Sequence, residues 1–350
     1  MLSSSKHSLF FHRPASSTHG TKAHSGEKVM PKASGRLLLI TVFLFLVDNA
    51  ALGADAMRLA FSSFSATNAG FFTAIEEKLF ERRGIDLTHV YIASSSVVRE
   101  VDLATLSGEI AMRAYHQGAK NLVIVGTQLD KFTFSLYTRP EIKTPQDLRG
   151  KILGVSRFGG SLDISLRYGL QQVGLDPKRD NITVVQAGGM PEIMAGLTAG
   201  KLDGAMLLSV YAFRGKELGF RELLDLGTLD VSFPQGVTLT TREFLRDKRD
   251  LAKRFMAGYL DGVDLFLKNP RAGKKALAKF TGVKEERFLD ADYAQYSEKY
   301  LNKSMATEPR MLSIVFDRIG VAPGDEREKI FKGLVDNSIL AEAKTLRAAR

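Results

Sequence analysis

Two short phrases recur in this 350-residue chain, and their order constrains most of what it can fold into. Gly84–Ile85–Asp86 returns as Gly174–Leu175–Asp176, and Glu100–Val101–Asp102–Leu103–Ala104 returns as Lys201–Leu202–Asp203–Gly204–Ala205. Each half reads strand, helix, Gly-apolar-Asp, strand, then a strand led by apolar-Asp-x-Ala. Self-similarity of this kind marks one supersecondary unit used twice. Strands alternating with helical patterns point to parallel sheet in α/β layers. The halves differ in one interval: Asp176 to Asp203 spans 27 positions, whereas Asp86 to Asp102 spans 16. The shortfall falls on the helix Pro191–Gly200, whose first-half counterpart is only Ser94 to Arg99. Parallel neighbours need a crossover of about ten residues or more. The first half is therefore expected to be compromised locally or wired differently.

Hydrophobic period supplies the elements. Arg58–Phe61 is a strand ending in the polar loop Ser62–Asn68. Phe71, Phe72, Ile75, Leu79 and Phe80 mark one face of a helix stopped at Gly84. Strands follow at Leu87–Ile92, Val101–Leu106 and Leu122–Gly126, with a helix over Ile110–Gln117, and Phe132–Thr138 alternates as a longer strand would. After Thr144–Leu148 the pattern restarts. Strands are expected at Ile152–Val155, Ile182–Gln186 and Leu202–Leu208, helices at Ile164–Val173 and Glu192–Ala199, and a short edge element at Phe220–Leu224. Val237–Thr241 turns back toward the first lobe. From Leu251 onward the chain reads as mostly helical, with Phe255, Tyr259, Val263, Phe266 and Leu267 on one stripe.

The chain opens on a different composition. Residues 1–29 are Ser-, His- and Gly-rich without apolar period, as disordered segments are. Lys32 to Arg36, the apolar run Leu37 to Val47 and the small residues to Ala56 follow. Basic region, apolar run of about eleven residues and small-residue cleavage site together read as a secretory signal peptide, too short to span a membrane comfortably. Met30 offers a start that would leave a more ordinary signal peptide. Of the net charge of +10, residues 1–53 carry +4, leaving a mildly basic remainder with no Lys/Arg block interleaved with aromatics. Nucleic acid is not an expected partner. There is no cysteine, which removes disulfides, thiolate metal sites, thiol nucleophiles and a lipid-anchoring cysteine together. No metal-binding histidine spacing, Walker loop, dinucleotide fingerprint or nucleophile elbow occurs. Neither a cofactor nor a metal nor catalysis is expected.

What remains is a set of small polar loops at the carboxyl ends of strands: Ser62–Ser63, Ser107–Gly108, Ser156–Arg157 with Gly159 to Ser161, and Ser209. Gly154 to Ser165 reads strand, small-residue turn, helix start. A helix opening there presents free N–H groups and the positive end of its dipole, and Arg157 adds a planar donor fork. Each serine alone reads as a helix cap. Their recurrence in both halves at one sheet edge, where open α/β sheets bind ligands, is the argument for a site.

These residues resemble the nitrate/sulfonate/taurine type of ABC-transporter solute-binding protein, over about Met57 to Leu267. The most specific pieces are Val101 to Gly108, Lys143 to Lys151, Gly154 to Ser161 and Gly200 to Ala205. The resemblance implies a type II periplasmic-binding fold, two α/β lobes joined by a two-stranded hinge with the ligand cleft between them. Residues 1–56 would be leader and signal peptide, 57–138 with 240–350 the first lobe and 139–239 the second. It implies a periplasmic monomer that captures a small, anionic sulfonate, nitrate, carboxylate or pyrimidine-like solute and hands it to a membrane permease and its ATPase. Carried over by position, the ligand-binding residues are Ser62, Ser63, Ser107, Arg157, Gly160, Ser161 and Ser209. A ligand-sensing adaptor is the first alternative. A thiamine-pyrimidine-synthase-like enzyme is the second, against which stands the absence of the Cys-rich motif of that branch.

Overall fold

The computed structural model describes residues 53–92 and 101–349. The leader and the short interval Ser94–Arg99 lie outside them. Four strands open the chain: β1 (Asp55–Phe61), β2 (Ile85–Tyr91), β3 (Leu103–Leu106) and β4 (Leu122–Leu129). Five follow in a second sheet: β5 (Ser135–Thr138), β6 (Ile152–Val155), β7 (Thr183–Gln186), β8 (Gly204–Leu207) and β9 (Arg221–Asp225). The last, β10 (Gly236–Thr241), returns to the first sheet. The two orders are β2-β1-β3-β10-β4 and β7-β6-β8-β5-β9. In each, three parallel strands are joined by one antiparallel strand that pairs on its other side with the edge strand.

The expected rewiring of the first half is therefore corrected. Leu59 stands opposite Leu103 in a parallel pair, as Leu153 stands opposite Gly204 in the other sheet. The repeated aspartates show why the topology holds across a short connection. Asp102 accepts the Arg58 N–H on Oδ2 at 2.7 Å and donates its own N–H to the Arg58 carbonyl at 2.9 Å. Asp203 does the same to Ile152, at 2.9 and 2.8 Å. Each aspartate thus pins the entry of one strand to its parallel neighbour, whatever path the chain takes between. The repeated glycines are equally specific. Gly84 and Gly174 both have positive φ, +69° and +75°, the left-handed conformation that ends a helix and that other residues resist. Replacing Asp203 by alanine is expected to cost about 1 kcal/mol, the scale of one net hydrogen bond, read as a lowered urea midpoint.

Helices cover both sheets: α1 (Ala69–Glu76), α2 (Gly108–His116), α3 (Ser161–Gln172), α4 (Met190–Thr198) and α5 (Ser209–Glu217), then α6 (Arg242–Asp247), α7 (Arg249–Lys268), α8 (Pro270–Thr281), α9 (Glu286–Gln295), α10 (Ser313–Arg318), α11 (Asp325–Leu334) and α12 (Ser338–Ala348). The apolar stripe of α7 is buried through Phe255, Tyr259, Val263 and Phe266, while Leu267 stays partly exposed. It packs on α1, where the Phe71 ring lies 5.9 Å from that of Tyr259. No helix among the described residues is long and apolar enough to cross a membrane.

The chain crosses between the sheets twice, through residues 130–134 and 226–235. Ser135–Thr138, read from the sequence as the end of a strand in the first lobe, is hydrogen-bonded to β8 and β9 in the second sheet. The two crossings hold each other. Phe233 donates its N–H to the Asp130 carbonyl at 2.8 Å, and Leu226 donates to that of Phe134 at 3.1 Å. Between them the rings of Phe132 and Phe233, both fully buried, stack at 4.3 Å.

Candidate functional site

A cleft of about 480 Å³ opens where the carboxyl ends of both sets of parallel strands meet. Its walls follow from the strand-turn-helix pattern. After β1, β3, β6, β7 and β8 a short turn leads to the next helix, which begins at the cleft. The N-cap residues of α1 to α5 are Asn68, Ser107, Gly160, Gly189 and Leu208. All five line the cleft. None makes a side-chain cap hydrogen bond. Five first turns with their partial positive charge thus converge on one space.

The first-sheet wall is built around Asn68, which is buried. Its amide donates to the Ser63 carbonyl at 2.8 Å and its oxygen accepts from the Thr105 hydroxyl at 3.2 Å. Ser62 Oγ donates to the Thr105 carbonyl at 3.3 Å, and Ser63 shares a 2.7 Å hydrogen bond with Ser65. The serine loop is thereby fixed to the end of β3. Opposite it, the turn after β6 is clamped at both ends. Phe158 N–H donates to Gln186 Oε1 at 2.8 Å and Gly159 N–H to Asp163 Oδ2 at 2.9 Å. Gly160 carries no side chain where a Cβ would lie 3.1 Å from Arg157 Cγ and 3.3 Å from its Nε. The arginine folds over that glycine and stays exposed at the cleft.

Arg157 is the only formally charged side chain that lines the cleft among the described residues. Its other polar groups are hydroxyls and amides. Gln128 and Gln235, both buried, contribute carboxamides from the two crossings' flanks, each with an unpaired oxygen, and the buried Ser107 Oγ is unpaired as well. Ile110, Phe134, Leu162 and Met190 add apolar surface. A converging set of dipole ends, hydroxyls and one guanidinium, without a carboxylate, suits negative charge.

Six of the seven residues expected from sequence come together here: Ser62, Ser63, Ser107, Arg157, Gly160 and Ser161. Ser209 does not. It is buried with φ +49°, an unusual conformation for a residue other than glycine. Leu208, its neighbour, occupies the cleft position, and Ser209 lines a separate cavity of about 110 Å³ behind β5 and β8. There its hydroxyl faces the Asp292 carboxyl and the Tyr296 hydroxyl, without a well-formed hydrogen bond to either. Sequence reasoning missed Asn68, Thr105, Gln128 and Gln235. Gln128 was hidden because β4 runs three residues past Gly126, where the strand had been expected to stop. Asn68 lies in the polar loop with the serines, and nothing beside it in the chain sets it apart.

No curated protein matches the chain in sequence. Its fold is similar to that of the periplasmic nitrate-binding protein NrtA from Synechocystis PCC 6803, with a TM-score of 0.69 and 14% identity over 84% of this chain and 89% of that one. It is similar to the periplasmic aliphatic sulphonate binding protein SsuA from Escherichia coli, with a TM-score of 0.64 and 19% identity over 80% and 98%. The desulfurization enzyme DSZB has the same architecture, with a TM-score of 0.60 and 15% identity over 84% and 100%. The two-lobed α/β architecture expected from sequence is therefore the periplasmic-binding-protein fold. The sequence pattern described as NMT1/THI5 like matches residues 65–273, well over half of the chain, so the chain belongs to the NMT1/THI5-like family.

Proposed function

We propose that this protein is the exported solute receptor of an ABC importer, capturing a small anionic organic solute or nitrate in the cleft and delivering it to a membrane permease. One observation carries the reading: five helix N-termini without a side-chain cap and Arg157 face a space that no carboxylate among the described residues lines. NrtA and SsuA, which share the fold, are named for nitrate and sulphonate binding. The lobes would divide at the two crossings, 53–129 with 236–349 against 135–225, and close over the ligand by bending there. Among the described residues the cleft lining holds no histidine or carboxylate, which favours capture over turnover, although DSZB shares the fold.

The test is thermal unfolding of the chain from residue 53 with nitrate, alkanesulfonates, aromatic carboxylates and pyrimidines. A ligand of the folded state at a hundredfold excess over Kd stabilises by about 2.7 kcal/mol. One anionic class should raise the Tm by several degrees, and Arg157→Ala should weaken that ligand roughly 10- to 100-fold, the loss of one charge-assisted pair. A response confined to cationic solutes, or conversion of the bound compound, overturns the proposal.

A further inference from the structure

A second concave surface lies away from the cleft. It is a groove of about 460 Å³ where the end of α3, the loop 174–179 and the end of α10 meet. Three guanidiniums border it, those of Arg167, Arg179 and Arg318. The one carboxylate in the lining among the described residues, Asp176, accepts the N–H groups of Lys178 and Arg179 on Oδ1 at 2.9 and 2.8 Å. Arg167 holds Asp163 at 2.7 Å, but the other oxygen of that carboxylate is taken by Gly159. Arg179 shares Asp180 with Arg149, so two guanidiniums rest on one carboxylate. Arg318 makes no ion pair or hydrogen bond within the described residues. Its side chain is exposed at the groove, where the like charges of Arg167 and Arg113 oppose the pull of Asp163 and Glu109. Glu109 is held by Arg113 at 2.6 Å, so its charge is already shared.

Three guanidiniums around one groove with a single lining carboxylate can be bridged by an oxyanion, whose geometry matches the planar donor fork in pairs of hydrogen bonds. We infer that the groove between α3, the 174–179 loop and α10 is a second anion site that takes a multiply charged oxyanion of the phosphate class on Arg167, Arg179 and Arg318. Its occupant would span two stretches of chain more than a hundred residues apart, so binding should tighten the fold. The site is independent of the cleft and of the solute proposed for it.

The probes are inorganic phosphate, pyrophosphate and glycerol phosphate, titrated by calorimetry and by Tm at constant ionic strength. The expected result is binding that strengthens from phosphate to pyrophosphate and weakens at least tenfold in Arg318→Gln, with Arg157→Ala leaving it unchanged. Arg318→Lys, which keeps the charge and loses the fork, should fall between. Glycerol phosphate bound as tightly as phosphate would identify a phosphate ester as the natural occupant, and phosphate alone a free ion. Equal binding by Arg318→Gln and the parent protein, or loss only in Arg157→Ala, overturns the proposal. Circular dichroism of Arg318→Gln separates lost binding from lost folding.

Discussion

Phe233→Ala is expected to lower stability by about 3–5 kcal/mol, the usual range for emptying a fully buried phenylalanine site. The site has little freedom to collapse. Phe233 lies in one crossing and stacks on Phe132 in the other, while its own N–H holds Asp130. Truncation opens a void between two backbone segments that are also hydrogen-bonded to each other, so the walls cannot close without breaking that bond. Phe132→Ala should cost about the same. The double variant should cost clearly less than the sum, because the two rings fill a shared space. Urea unfolding of the three variants measures this. A loss below about 1 kcal/mol for either single change would mean that the stack does not hold the crossings together.

Asp292→Asn is expected to do the opposite, by an amount that grows as the pH rises from about 4 to 7. Asp292 in α9 is 3% exposed, and burial pushes its carboxyl up to about 7, with only the Ser209 hydroxyl pulling downward. Tyr296, one turn on and fully buried, faces the same space with its hydroxyl unpaired. The folded chain therefore keeps a proton between about pH 4 and 7 that the unfolded chain releases. Stability falls with rising pH across that window and levels off above it. Asparagine removes the titration. At one pKa unit per 1.36 kcal/mol, the variant should gain on the order of 2–4 kcal/mol over the parent at pH 8, and almost nothing at pH 4. Melting curves at the two pH values decide it. A pH-independent difference would show that the Asp292 carboxyl does not titrate within the buried cluster.

The sequence carried the site better where chemistry is local. Arg157, Gly160 and Ser161 sit within one strand-turn-helix phrase, whose glycines and first-turn geometry are set by neighbours in the chain. Ser62, Ser63 and Ser107 were legible for the same reason. Ser209 opens α5 much as Ser161 opens α3, but its backbone turns into the left-handed region and presents Leu208 to the cleft instead. Nothing adjacent in sequence signals that turn; the partners that receive the hydroxyl, Asp292 and Tyr296, lie more than eighty residues on. Gln128 and Gln235 are likewise products of tertiary pairing, because only the alignment of β10 with β4 brings both crossings' flanks to one floor. The short interval before Asp102 does not reveal the topology, because crossover length carries nothing of the aspartate's own hydrogen bonds.

The two sheets are alike in wiring and unlike in how the chain completes them. Every strand of the second lies within residues 135–225, whereas the first must wait for β10, which arrives over a hundred residues after β4 begins. Contacts close in sequence form sooner than distant ones. On a ribosome, or emerging from a translocation pore, the second sheet can assemble as soon as its own segment is free. The first would meanwhile carry β3 and β4 with exposed edges, the hazard that recruits chaperones to half-made sheets. The order of maturation would then run against the order of synthesis, with the later half serving as the platform on which the earlier half is finished.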